Sequence, residues 1–407
     1  MKSDREDRRL VTGGVKKSIL GVALLAFASV VQAGAVERKL LGRPPEEPVE
    51  PSIDIRLVEE SVLRRRQLGW RIVETVTRPT ALGGVKGSVP YWSTWYTSGD
   101  FMIIFSKLIA ELEGPERMSR NGFTREEIHG GIDWFFGTLE ENATNRLAAV
   151  DNIFYSPAAL SHILGQYGSI YECRKGRREN CVTIPFPSEA IVVKTRWQNG
   201  KVDVHNTDSA AIQELLQMEN PTWFSQRTVR NPDGIFTART EDGSASFLVG
   251  LHIMIKTLPE WVWVTIWWSP EPDSDFGADR PESMTGVWAN YKMCVVIGFD
   301  ENHRTDEELG ESLQLVSKGP HTWCSNPYLG SGPGNGGSNC MGCHQHAGSR
   351  HHRPKDLIPL KARERQGLFG SDYVWAIQTD SPLPIMDFLV NMIDSFRDRE
   401  LAQSPGP

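Results

Sequence analysis

Residues Trp261-Val262-Trp263-Val264-Thr265-Ile266-Trp267-Trp268 constrain the fold more than any other stretch. The run is too short for a helix of ordinary length. Its β-branched and aromatic content reads as a strand. Both of its faces are apolar, so such a strand must be covered on both sides. The neighbouring pattern agrees. From about Thr183 to Phe299 the apolar period is two. Ala190–Trp197, Asn199-Gly200 and Val202-Asp203-Val204 predict a hairpin, because Asn-Gly supplies the positive φ of a two-residue turn. Phe247–Lys256 predicts a strand with Phe247, Val249, Leu251, Ile253 and Ile255 on one face, and His252, Met254 and Lys256 on the other. Asp208 reads as the cap of a short helix to Met218, and Trp288–Phe299 as a further strand. No internal repeat is present.

The flanks differ. Residues 55–182 follow helical spacing: Leu57, Val58, Ser61, Val62, Arg65 and Leu68 form one stripe, with Gly69 as its expected stop. Phe101–Leu112 reads as an apolar helix ended by Gly114-Pro115. Thr124-x-x-Glu127 is a capping-box signature ahead of Ile128 and Trp134-Phe135-Phe136. The last third is rich in loops. Gly330–Ser338 is too glycine-rich to hold regular structure, and Ser381-Pro382 caps a terminal helix to about Arg397. The expected class is α+β. It comprises a mostly helical region over 55–182, an antiparallel β region over 183–300, and a loop-rich segment over 301–407 ending in a helix. A length of 407 residues suits two to three domains of about 150 residues.

The N-terminus reads as an export signal. Lys16-Lys17 precede the apolar run Ile19–Val31, and Val31-Gln32-Ala33 offers a small-residue cleavage site after Ala33. An uncleaved anchor is the alternative. A Pro- and Glu-rich tether, 34–54, follows. The expected mature chain is periplasmic or secreted and has no further membrane span. Its formal charge of −7 becomes −10 once residues 1–33 are removed. That acidic balance, without a basic stripe, argues against nucleic-acid binding. Export also makes disulfides available to the six cysteines, Cys173, Cys181, Cys294, Cys324, Cys340 and Cys343.

Two of the six lie in Asn339-Cys340-Met341-Gly342-Cys343-His344, a Cys-x-x-Cys-His pattern of the kind that attaches c-type haem. The spacing has a chemical reason. Thiols about one helical turn apart can both reach the vinyl groups on one porphyrin edge. The next residue then presents an imidazole to the iron. Even counting pairs the other four cysteines: Cys173 with Cys181 around the basic turn Arg174–Arg178, and Cys294 with Cys324. A competing reading makes Cys340, Cys343, His344, His346, His351 and His352 a zinc site. A thioredoxin-like redox pair lacks a surrounding βαβ pattern.

The segment Ser338–Gly348, with Gly250-Leu251-His252 and Trp261-Val262-Trp263 upstream, resembles exported bacterial cytochrome c-like proteins. The resemblance implies one covalent haem c, with Cys340 and Cys343 as attachment sites and His344 as proximal iron ligand. It departs from small cytochromes c, in which a helical domain follows the motif. Here 63 residues remain after His344, so the upstream β region is expected to supply a wall. Distal-ligand candidates rank as His252, Met392, Met254 and Met386, since electron carriers use His or Met there. The expected function is single-electron transfer with a periplasmic redox partner. The chain would be a carrier or redox subunit with no catalytic residues of its own. The alternatives are a five-coordinate haem enzyme or gas or peroxide sensor, and a zinc- or ligand-binding module.

Overall fold

The computed structural model describes residues 58–396, apart from 60, 82–87, 113–119, 139–151, 175–180, 183, 220, 241, 299–322, 330–334, 345–346, 348–368, 371 and 375–387. The expected signal, the tether, Met386 and the Ser381-Pro382 cap lie outside the described residues.

The fold is α+β. Helix α1 (Val62–Thr77) starts where the Ser61 hydroxyl accepts from Arg64 N. It leads through the paired short strands β1 (Pro79–Ala81) and β2 (Ser88–Pro90) to β3 (Tyr96–Thr97) and α2 (Ser98–Glu111). A capping box between Thr97 and Asp100 opens α2. Helix α3 (Arg125–Thr138) begins with the expected box: Glu127 N donates to the Thr124 hydroxyl, and Thr124 N donates to the Glu127 carboxylate. Strand β4 (Ile153–Tyr155), helices α4 (Pro157–Gly165) and α5 (Tyr167–Arg174), and strand β5 (Cys181–Val182) follow.

The β region contains β6 (Ile191–Asn199), β7 (Lys201–Val204), α6 (Ser209–Gln217), β8 (Arg227–Arg230), β9 (Thr237–Arg239), β10 (Ala245–Ile255), β11 (Val262–Trp268) and β12 (Tyr291–Val296). Asp208 caps α6, accepting from Ala211 N at 2.8 Å. A seven-stranded sheet runs β12-β11-β10-β6-β4-β3, with β9 also on β10, and every pairing in it is antiparallel. Strands β3 and β4 come from the stretch expected to be mostly helical. The short helix α7 (Cys340–His344), strand β13 (Phe369–Gly370), which pairs in parallel with β5, and helical residues 388–396 complete the described chain.

Cross-strand pairs share a face. One face carries Leu251, Ile253 and Ile255 with Val262, Val264, Ile266, Met293 and Val295. Helix α1 packs on it: a Cβ at Gly69 would stand 2.9 Å from Met293 Sδ. The opposite face carries His252, Thr265, Cys294 and Lys194 in one row, and Met254, Trp263, Val296 and Val192 in the next. All of β11 is buried, as a strand apolar on both faces requires.

Five local expectations need correction. Gly69 does not stop α1, because there the missing side chain lets the helix lie close on β12. The Asn199-Gly200 turn forms, with Gly200 at φ 71°, but β7 does not pair with β6. Strand β10 pairs along β6 and β4 covers only Val192–Lys194 on its other edge, while β7 pairs with β8. Phe247 does not share a face with Leu251, because a bulge between Leu248 and Gly250 reverses the alternation. Trp288 lies in a 3-10 turn ahead of β12. Within the glycine-rich run, Asn335–Gly337 forms a 3-10 turn with Gly336 and Gly337 buried. A Cβ on Gly337 would meet Pro221 Cγ at 2.7 Å, so the lack of side chains there permits close packing.

Candidate cofactor-attachment site

The Cys-x-x-Cys-His turn is built onto the sheet face that bears His252. Three anchors hold it. The Cys294–Cys324 disulfide ties residue 324 to β12. Asn326 Nδ2 donates to Thr265 Oγ1 (2.7 Å) and to Ile266 O (2.9 Å), and a Cβ on Gly250 would stand 3.3 Å from its amide. The Trp323 indole donates to Gly336 O, and Cys324 N to Ser338 O. The chain then turns into α7. The Asn339 side chain caps it by accepting from Gly342 N at 2.8 Å. One helical turn therefore presents Cys340, Cys343 and His344 together.

Cys340 and Cys343 remain thiols, whereas Cys294 and Cys324 are joined. Burial, then the neighbouring Cys343, pushes the Cys340 thiol up to about 12, so it is protonated at neutral pH. The His344 Nδ1 lies 2.8 Å from Tyr373 O. A carbonyl only accepts, so Nδ1 carries the proton and Nε2 the lone pair. Burial pushes His344 down to about 4, against the pull of that carbonyl. The imidazole stays neutral, as a metal ligand must.

Tyr373 O is itself held in place. Asp372 and Tyr373 have φ values of 47° and 67°, and the turn is pinned from three sides. Lys256 Nζ donates to Asp372 Oδ1 (2.7 Å), the Trp261 indole to Asp372 O (2.9 Å), and Phe186 N to Asp372 Oδ2 (2.9 Å). Such outer contacts fix the ring orientation of a ligating histidine.

His252 stands beside this turn. Its ring centre is 5.5 Å from that of His344, and its Nδ1 lies 3.9 Å from Cys340 Sγ. Its Nε2 is enclosed and has no hydrogen-bond partner. Burial, then His344 and Lys194, keeps His252 well below its ordinary pKa. Trp263 completes the cluster, its ring 4.4 Å from His344 and stacked on His252 at 5.9 Å.

The structure thus brings together Cys340, Cys343, His344 and His252. Met254 is buried in the next row, opposite Trp263. Met392 sits on helical residues 388–396. These dock on α2 and α5 through Phe388 against Phe105 and through Asp394, which accepts from the Tyr171 hydroxyl. His346, His351 and His352 lie outside the described residues, as do the side chains of Cys173 and Cys181 and the proposed bridge between them. Among the described residues, no three His, Cys, Asp or Glu side chains group so as to hold a metal ion. Sequence reading missed Asp372, Tyr373, Asn326 and the roles of Lys256 and Trp261.

The residues fit covalent haem in kind: two thiols on one turn, an oriented neutral imidazole, and a second imidazole with an orphaned buried nitrogen. No helix among the described residues is long and apolar enough to cross a membrane. The chain matches no protein-family profile, no curated protein and no solved structure.

Proposed function

We propose that this chain is an exported c-type cytochrome-like protein that carries one covalent haem and passes single electrons to a redox partner in the periplasm. Cys340 and Cys343 would hold the cofactor by thioether bonds, His344 would ligate the iron, and His252 would be the distal ligand. The supporting observation is the pair of neutral imidazoles beside the two thiols, one aimed by Tyr373 O and the other with an unsatisfied Nε2. When bound, haem supplies a one-electron iron couple.

The chain's own residues do the rest. The Tyr373 carbonyl keeps the proton on His344 Nδ1 and raises the basicity of Nε2. A thioether sulfur at Cys340 has no proton to give, so His252 Nδ1 would donate to it, leaving the lone pair on Nε2. Trp263 and the buried strand β11 exclude water from both rings. The neighbouring second imidazole favours a carrier over a five-coordinate enzyme or sensor.

The test is expression of the full chain with a c-type maturation system, followed by a pyridine haemochrome spectrum and intact mass. One haem with two thioether bonds is expected, lost in the Cys340→Ala, Cys343→Ala double variant. The ferrous protein is expected to bind carbon monoxide slowly, and His252→Ala rapidly. A colourless product of bare polypeptide mass overturns the proposal. Rapid carbon monoxide binding by the unmodified chain overturns the distal assignment.

A further inference from the structure

The sheet face that carries His252 has a charge pattern that the attachment turn does not use. Three rows cross it. The middle row is Lys194, His252, Thr265 and Cys294. Val192, Met254, Trp263 and Val296 flank it on one side, and Arg196, Gly250, Trp267 and Lys292 on the other. These rows present three cations and no carboxylate. Lys292 is buried and already matched, its Nζ 2.7 Å from Asp275 Oδ2. Arg196 is exposed and lies one row away from His252. Lys194 is exposed and stands directly opposite His252. Among the described residues, Lys194 has no hydrogen-bond or ion-pair partner.

An unmatched lysine on a surface is ordinary, but the place of this one is not. Directly opposite residues of an antiparallel pair stand about 5 Å apart at Cβ, so Lys194 rises beside the buried imidazole. Its charge reaches both rings: after burial, the largest cause, Lys194 is among the groups that hold His252 and His344 below their ordinary pKa. The ammonium thus lies at the exposed border of the imidazole pair. The neighbouring walls, Trp263 and Met254, are buried and apolar. Haem has a matching division, an apolar ring body with carboxylate side chains on one edge. The body suits the buried walls. The carboxylates need a cation and contact with water. Lys194 is the cation on this face that is next to an imidazole, exposed and unmatched.

We propose that Lys194 takes a carboxylate of the bound haem and, by its charge, favours the ferrous state. The inference rests on the haem reading above and adds to it a residue outside the Cys-x-x-Cys-His turn. A positive charge near the iron stabilises the form that holds one electron more. Pairing with the carboxylate acts in the same direction, because it offsets a negative charge that opposes reduction.

The test is a spectroelectrochemical titration of the full chain matured with haem, its loading verified by pyridine haemochrome. Lys194→Gln is expected to lower the midpoint potential, Lys194→Glu to lower it further, and Lys194→Arg to keep it near that of the unmodified protein. Lys201→Gln removes the same charge from an exposed position on β7 and is expected to leave the potential in place. The carboxylate is tested with the haem-free full chain, titrated with ferric protoporphyrin IX and with its dimethyl ester. Lys194→Gln is expected to weaken binding of the acid about threefold or more, and not that of the ester. An unmoved potential in Lys194→Gln and Lys194→Glu, or the absence of a loss confined to the acid, overturns the assignment of Lys194 while the haem reading stands. A matured chain without haem overturns both.

Discussion

Individual side chains decide how the candidate site is set. Lys256 is the clearest case. Its ammonium is buried with Asp372, their side chains 6% and 10% exposed, and it also donates to Pro259 O. Removing one partner of a buried ion pair leaves an uncompensated charge, at a cost of about 3–5 kcal/mol. Lys256→Met should therefore lower the unfolding free energy by about 3 kcal/mol in a denaturant titration. A loss within about 0.5 kcal/mol, ordinary for a surface substitution, would remove the pair from the account of the site. Part of this arrangement was legible in sequence. His252 and Lys256 share the less apolar face of their strand, and the thiols and His344 share one short turn. Asp372, Tyr373 and Asn326 were not legible. Asp372 meets Lys256 across 116 positions, and Asn326 meets Thr265 across 61. No periodicity or local motif announces such contacts. The left-handed turn that aims the Tyr373 carbonyl uses a tyrosine, where sequence rules look for glycine.

At the scale of elements, the sheet and its helices are joined by a small number of polar clips set in apolar packing. Helix α1 carries Arg66, whose guanidinium donates to both Asp279 carboxylate oxygens at 2.6 Å, and to Met293 O and Phe276 O at 2.8 Å each. The Trp70 indole adds a third contact to Asp279. Burial raises the Asp279 pKa, but Arg66 outweighs it, and the net value is held below 3.8. The folded state thus binds the proton more weakly than the unfolded chain. The pair's stabilisation is fully present above the ordinary carboxylate range and is lost as pH falls through the depressed folded value. Asp279→Asn should weaken the fold at neutral pH by about 3 kcal/mol. It should also flatten the fall in unfolding free energy below about pH 4, the range of an ordinary aspartate. Urea titrations of both proteins across that range would show it, and parallel acid limbs would refute it. Sequence rules found the helix caps at Thr124 and Asp208 because a cap is a contact over three residues. They misread Gly69, the Asn199-Gly200 turn and the phase of Phe247. Each depends on a partner strand: Gly69 on β12, the turn on the pairing of β7 with β8, and the bulge on its register with Trp197 and Arg196.

At the scale of the whole molecule, the sheet divides two kinds of covering. Helix α1 packs on the Met293–Val295 face by apolar contact, with Arg66 donating to Met293 O, and no covalent tie joins them. Residues 323–329 and 335–344 cover the His252 face by specific ties, of which the Cys294–Cys324 disulfide is the strongest. That asymmetry follows from composition. The covering segment has glycines and short turns in place of a long amphipathic helix, and its buried Trp323, Tyr328 and Met341 are held beside the covalent staple at Cys324. The bridge closes a loop across 30 positions, which corresponds to about 3–4 kcal/mol of restricted unfolded-chain entropy. The Cys294→Ala, Cys324→Ala double variant should lose about that much stability in thermal or denaturant unfolding. The loss should also be uneven. Asn326, Trp323 and Asn339 would still dock residues 323–329 and 335–344, but these would open more often than the helix-covered face does. Amide exchange should therefore accelerate at Cys324, Tyr328 and Gly342, whose backbone N–H groups are bonded within this segment, before it accelerates in β10 and β11. Uniform acceleration over both groups would mean that the covering segment and the sheet open as one unit, and that the disulfide braces the entire fold rather than the face bearing His252.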